Sequence, residues 1–196
     1  MDQASSGWPL VRESTLRGSL PSLRKRTAPG VDGQRYEDYA DNLDANLKDL
    51  HERLKTGRYR APVVRRVYIP KANGGRRPLG ITTIEDRVVQ KAVAWVLSAV
   101  FEQDFLECSH GFRPKRSAHT ALHRLREGMM QHWAKYVVEV DVVGYFDHVG
   151  HGWLLKFLRH RVNDGGLLRL VSKCRLCRGR HKRHIRLQSG HRCWPR

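Results

Sequence analysis

Acidic side chains are what this sequence has least of. Its 196 residues carry 19 Asp and Glu against 37 Lys and Arg, a formal net charge of +18. That imbalance excludes partners that are themselves basic and selects a polyanion, with nucleic acid as the default. A ribosomal or histone-like protein would show the same balance, so charge selects a class of partner and no chemistry. A long apolar run is also missing. The longest, Ala92 to Phe101, is far short of the roughly 20 residues a bilayer span needs. The opening residues, Met-Asp-Gln-Ala-Ser-Ser-Gly, lack the basic and apolar regions of a signal peptide. Four cysteines (Cys108, Cys174, Cys177 and Cys193) make a poor disulfide framework for a chain of this length. Together these absences predict a cytoplasmic protein with no membrane contact. The length suits one medium domain burying roughly two thirds of its unfolded surface.

What is present centres on Val137 to Val149. Val137-Val138-Glu139-Val140 is β-branched apart from one residue and predicts a strand buried on at least one face. Asp141 falls where that strand should end, and Gly144 then turns the chain toward Tyr145-Phe146-Asp147. A carboxylate at a strand end is well placed to hold a hard cation such as Mg2+. It could equally cap the following turn. Asp147 is assigned to local structure, its side chain bonding the turn after it.

Upstream, residues 1–23 show no apolar period and predict a loose lead-in. Ala28-Pro29-Gly30-Val31-Asp32-Gly33 is a turn-rich knot in which Gly30 and Gly33 are positioned to take positive φ. From Tyr36 to Lys55, Leu43, Leu47, Leu50 and Leu54 recur at helical spacing, with Glu37 and Asp38 in the first turn and Gly57 as a stop. Val63 to Ile69 predicts a strand, and Asn73-Gly74-Gly75 a hairpin turn into Arg77-Pro78-Leu79-Gly80-Ile81. Lys71, Arg76 and Arg77 then crowd the hairpin tip. Solvated charge is common at such a tip, but a basic hairpin also suits closure over a triphosphate. Thr82 or Thr83 caps a helix whose Val89, Val93, Val96 and Val100 form one apolar face. Ser109 to Ala121 is a loop with glycine, Phe112 and the basic residues Arg113, Lys115 and Arg116, leading to a helix from about Ser117. Basic groups interleaved with an aromatic ring suit backbone contact with base stacking.

Several of these segments resemble group II intron-encoded reverse transcriptases/maturases, most of all the bacterial ones. The likeness is continuous and ordered from about residue 24 to 172. It rests on Ala28 to Gly33, on Tyr68-Ile69-Pro70-Lys71 through Ile81, on Thr82-Thr83-Ile84-Glu85-Asp86-Arg87-Val88-Val89-Gln90, on Ser109 to Ala121, and on the Asp141 stretch. Small departures are Thr82, where a proline is expected, and Val142-Val143, where a polar residue is often found. The resemblance implies an α+β right-hand polymerase: fingers over 24–130, and the first strand and helix of the palm over 131–173, truncated before the rest of the palm and the thumb. It implies RNA-directed DNA synthesis with Mg2+, deoxynucleotides, a DNA primer and a template such as group II intron RNA. By the same likeness Asp141 is the catalytic, metal-binding carboxylate. Lys71 and Arg77 hold the triphosphate, Phe146 is the aromatic gate beneath the sugar, and Arg113, Phe112, Lys115 and Arg116 lie along the template.

One element of that family is absent. Phosphoryl transfer of this kind uses two metal ions roughly 4 Å apart, which need several carboxylates around them. The family supplies an Asp-Asp pair in a Tyr-Ala-Asp-Asp hairpin, and no Asp-Asp dipeptide occurs in this sequence. The expectation is a fragment inactive as a polymerase by itself. The alternative is a non-catalytic RNA-binding module that grips intron RNA and aids splicing. Retron and diversity-generating reverse transcriptases share the chemistry, but Ser109 to Ala121 favours the group II branch.

Residues 174–196 change character: seven Arg, one Lys, three His and three Cys, with no acid. They predict a disordered basic tail, read as out of frame. Cys174, Cys177, His181 and His184 are zinc-type ligands, but their 11-residue span leaves no room for the usual intervening turn or helix.

Overall fold

A computed structural model describes residues 11–70, 74–131, 136–142 and 145–173. The tail at 174–196 and its four zinc-type ligands lie outside the described residues. The chain divides into two units. One comprises the described residues up to Val96 and from Asn163 onward, and the other is Leu97–Val162.

The first unit is built on leucines at helical spacing. Helix α1 (Glu13–Ser19) buries Leu16, and a 3-10 turn (Leu20–Ser22) buries Leu20. The segment expected to be a loose lead-in is therefore packed from Val11 onward. Val11, Leu16 and Leu20 form an apolar stripe too short, and too interrupted by Gly18, to register as a period. The single helix expected from Tyr36 to Lys55 is two, α2 (Tyr36–Asp41) and α3 (Leu43–Lys55). The break falls at Asn42, with φ −115° and ψ 36°. Beside it the Asn46 amide donates to the Tyr39 carbonyl at 2.9 Å, serving a group the helix end leaves unpaired. At the start of α2 the Arg35 amide donates to the Asp38 carboxylate at 2.8 Å. Leu47, Leu50 and Leu54 of α3 are fully buried, each contributing roughly 1.5–3 kcal/mol.

The hairpin is present: β1 (Arg65–Pro70) and β2 (Arg76–Ile81) pair antiparallel, with Val67 opposite Leu79 and Ile69 opposite Arg77. Gly74 takes φ +78° in the connection. Val67, Tyr68, Ile69 and Leu79 are exposed, so the ribbon is solvated over much of its length.

Helix α4 (Ile84–Phe101) starts at Thr83, whose hydroxyl accepts from the Asp86 amide at 3.3 Å. Its buried residues gather in the first half, at Ile84, Val88, Val89, Ala92 and Val93. Two polar ties fix that half to the unit. The Ser19 hydroxyl donates to the Val88 carbonyl at 3.1 Å. Arg53 forks onto Glu85, Nη1 to Oε1 at 3.0 Å and Nη2 to Oε2 at 2.6 Å. A last helical stretch, 165–173, begins where the Asp164 carboxylate accepts from the amides of Gly166 and Leu167. It ends with Lys173 donating to the Gly57 carbonyl at 2.6 Å, just past the end of α3.

The second unit holds a 3-10 turn (Glu102–Asp104), α5 (Ala118–Gln131), α6 (Tyr145–His148) and α7 (His151–Arg161). The Ser117 hydroxyl caps α5 by accepting from the Thr120 amide at 3.2 Å, while the Thr120 hydroxyl accepts from the Ser117 amide at 2.9 Å. Helix α5 buries none of its residues, and Leu122, Leu125 and Met130 face solvent.

The strand expected at Val137 to Val140 does not form: 136–142 has no regular structure, and Val137, Val138 and Val140 are exposed. Valine favours an extended backbone, but a strand exists only where another strand takes up its amides and carbonyls. Among the described residues the two strands present pair with each other.

Candidate nucleic-acid interface

In the first unit, the loop carrying Ala28 to Gly33 is held against the start of α4. Arg87 does this, donating to the Thr27 hydroxyl, to the Ala28 carbonyl at 2.8 Å and to the Thr82 carbonyl at 2.8 Å. Burial lowers the Arg87 pKa, opposed by the nearby carboxylates of Asp32 and Asp86. Of the two glycines expected at positive φ, Gly33 is there, at +71°. Gly30 is needed for closeness instead, since a β-carbon on it would lie 2.7 Å from Thr83 Cα. Arg87 belongs to a segment singled out in the sequence, but nothing in the pattern marked it as the residue joining two motifs.

Beneath this loop Asp86 is buried. Its carboxylate accepts from the Tyr59 hydroxyl at 2.9 Å and the Gln90 amide at 2.7 Å. Burial raises its pKa, partly offset by those two hydrogen bonds. The hairpin lies in the same unit. Of its expected triphosphate contacts, Lys71 lies outside the described residues, and Arg77 is described only in its backbone.

The second unit carries the basic loop. Between Glu107 and Glu127 the chain has five Lys and Arg, three His and no acid. Most of that charge points outward: Lys115, Arg124 and Arg126 are exposed. Arg113 is the exception. Its side chain is only 6% exposed, and four of its five N–H groups are taken internally. Nε and Nη2 donate to Glu102 Oε1 at 3.0 and 2.8 Å. Nη1 donates to the carbonyls of Leu106 and Ser109 at 2.7 and 3.0 Å. The guanidinium also sits 5.2 Å from the centre of the Phe105 ring.

Arg113, expected along the template, is thus directed inward onto its own loop. A guanidinium so engaged has little left to offer a phosphate, and Glu102 offsets its charge. Glu102 itself went unnoticed in the sequence, because no local pattern links residues 11 positions apart. Arg116 is half-buried and paired with Glu107, whose pKa is held low by hydrogen bonding to that guanidinium. Phe112 and Lys115 stand clear of the loop into solvent.

Asp141 is exposed and, among the described residues, forms no hydrogen bond or ion pair. The side chains of Phe146 and Asp147 lie outside what the structure describes. The four loop residues are brought together, therefore, and Asp141 stands on a separate open segment. Among the described residues no three His, Cys, Asp or Glu side chains gather into a metal-binding group. A lone exposed carboxylate does not provide the donor set that two Mg2+ ions require, so these residues do not fit that centre. No helix of the described residues is long and apolar enough to cross a membrane.

Residues 69–189 match the family described as Reverse transcriptase (RNA-dependent DNA polymerase). The matched span thus runs past residue 173, where the sequence changes character. The chain is 38% identical over 148 residues to Protein YkfC of Escherichia coli (strain K12), covering 74% of this chain and 39% of that protein. It is 37% identical over 139 residues to Group II intron-encoded protein LtrA of Lactococcus lactis subsp. cremoris, covering 70% of this chain and 23% of the relative. Nuclear intron maturase 1, mitochondrial, of Arabidopsis thaliana is 32% identical over 87 residues, 44% of this chain and 12% of the relative. The chain therefore spans between about a quarter and two fifths of the bacterial relatives it matches. It belongs to the reverse transcriptase (RNA-dependent DNA polymerase) family, in the branch of the group II intron-encoded reverse transcriptases and maturases.

Proposed function

We propose that this chain is the part of a group II intron reverse transcriptase/maturase that grips template RNA and the incoming deoxynucleotide, and that by itself it binds RNA without extending a primer. The observation that carries the proposal is the placement of charge. Five cations and no acid occupy the loop and helix between Glu107 and Glu127, with Lys115, Arg124 and Arg126 exposed. Such an array neutralises a phosphate backbone without reading its bases.

Within the proposed scheme β1 and β2 carry Lys71 and Arg77 toward the triphosphate, 24–130 acts as fingers, and 131–173 opens the palm. The family likeness gives Asp141 the metal-binding place and Phe146 the place beneath the sugar, beside the DNA primer end, but in this chain Asp141 alone would hold no two-metal centre. Positioning and charge neutralisation are nearly all the catalysis available to phosphoryl transfer. With no Asp-Asp pair in the sequence, the 196-residue chain lacks the carboxylates to neutralise two cations. A cytoplasmic setting suits four cysteines whose number and spacing make a poor disulfide framework.

The second reading, an RNA-binding module that aids splicing without chemistry, is favoured by Asp141, which is exposed and belongs to no cluster of three metal-ligating side chains among the described residues. Both readings predict RNA binding without synthesis by the chain alone, and primer extension on an RNA template, with Mg2+ and deoxynucleotides, tests that shared prediction. The 196-residue chain should retain the RNA and make no product, and Asp141→Asn should leave the retention unchanged. Synthesis that depends on Asp141 in the chain alone would overturn the proposal.

A further inference from the structure

We infer that the loop at 105–117 is a preorganised grip for one unpaired nucleotide of a single strand: Phe112 stacks on its base, Lys115 takes the adjoining phosphate, and Arg113 is a positioning residue that does not touch the nucleic acid. This deepens, and rests on, the proposal that the chain binds RNA.

The backbone gives the first reason. Phe112 and Lys115 are both at φ +59°, and they are the two non-glycine residues with positive φ among the described residues. Left-handed backbone is uncommon for a bulky side chain and persists only where its surroundings impose it. Here the surroundings are the two arginines that alternate with these residues. Arg113 ties Glu102, Leu106 and Ser109 together with four hydrogen bonds. Arg116 donates to the Glu107 carbonyl at 3.0 Å and to its carboxylate at 2.8 Å. Its amide also closes the turn onto the Arg113 carbonyl at 3.3 Å. The result is a four-residue turn with Arg113 and Arg116 directed inward, and Phe112 and Lys115 outward.

The outward pair gives the second reason. The Phe112 ring is fully exposed, which packing within the loop does not explain. Lys115 pairs with no carboxylate among the described residues, and the two nearby acids, Glu102 and Glu107, are each neutralised by an inward arginine. An open aromatic face three residues from a free ammonium matches a base and its neighbouring phosphate. It would accept any base, since every base offers a π-face. A flat protein surface offers no equivalent fixed anion beside a stacking plane.

The test uses the full 196-residue chain and a single-stranded RNA in which one unpaired position is 2-aminopurine, whose fluorescence reports stacking. Phe112→Leu, at an exposed position that leaves the fold intact, should abolish the stacking signal and weaken binding roughly 5- to 150-fold. The slope of log affinity against log salt should be unchanged. Lys115→Ala should keep the stacking signal and make that slope shallower by about 0.7. Glu102→Gln separates the two roles open to Arg113. A positioning role predicts loss of the stacking signal although a negative charge has been removed. A direct phosphate contact predicts tighter binding as Arg113 is freed. Unchanged affinity and signal in Phe112→Leu, or tighter binding in Glu102→Gln, would overturn the inference while leaving RNA binding by the chain intact. Failure of the unaltered chain to bind the RNA at all would remove the functional proposal as well.

Discussion

Gly30 packs directly against the backbone of Thr83: a methyl group on Gly30 would come within 2.7 Å of Thr83 Cα and 2.8 Å of its nitrogen. Thr83 is also the hydroxyl cap of α4, so the loop and the helix start share one point of contact. Gly30→Ala must push the two apart, and overpacking of this kind costs about 1–3 kcal/mol. Gly33 has open space around its α-carbon but sits at φ +71°. Gly33→Ala should therefore cost less, about 1 kcal/mol, through backbone strain alone. Urea unfolding of the two variants measures the difference. Equal losses would show that the close approach at Gly30 is not the cause.

The same two glycines show what the sequence could and could not convey. A turn-rich knot was legible from Pro29, Gly30, Asp32 and Gly33, because turn chemistry is local. Which glycine served a backbone angle and which a close approach was not, because Thr83 lies 53 positions away. The hairpin was legible for the same local reason, and so was the helix face of α3. Arg113 was singled out from the motif, but the direction of its side chain depends on Glu102, outside any local pattern. The valines at 137–140 show the opposite failure. Their strand propensity is plain, yet pairing decides strands and pairing is not local.

Arg53 and Glu85 join α3 to α4 through a forked pair, with side chains 30% and 22% exposed. Hydrogen bonding to Glu85 is the main cause of the raised Arg53 pKa. Partial exposure screens the pair, so Glu85→Ala should lower stability by about 1–2 kcal/mol. Arg53→Lys keeps the charge and loses the fork, and should cost nearly as much. A thermal unfolding series at two salt concentrations checks this; no loss in either variant would show that the junction does not depend on the fork.

Asp86 carries a pH signature. Burial raises its carboxyl above the ordinary value of 3.8, so the folded protein holds that proton more tightly than the unfolded chain does. Stability contributed by this group is present at low pH and declines as pH rises from the unfolded value through the raised folded value. Asp86→Asn removes the titration. Relative to the unaltered protein, the variant should gain stability progressively across that window and then level off at higher pH. Denaturant unfolding from acidic to neutral pH reads this directly. A variant that loses stability relative to the unaltered protein as pH rises would reverse the sign and exclude burial as the controlling cause.

Asp141 stands exposed and unpaired among the described residues, so its removal should not disturb the fold. Asp141→Ala should change stability by no more than about 0.5 kcal/mol. Its affinity for RNA should be unchanged or slightly tighter, since one negative charge is gone. A cooperative loss of structure in that variant would mean the carboxylate serves the fold.

RNA binding by the 196-residue chain through its phosphate contacts is read from the salt dependence of its affinity. If the chain as a whole neutralises about six phosphates, log affinity should fall against log salt with a slope near −4, taking about 0.7 per phosphate for a single strand. An affinity that stays level as salt rises would contradict it.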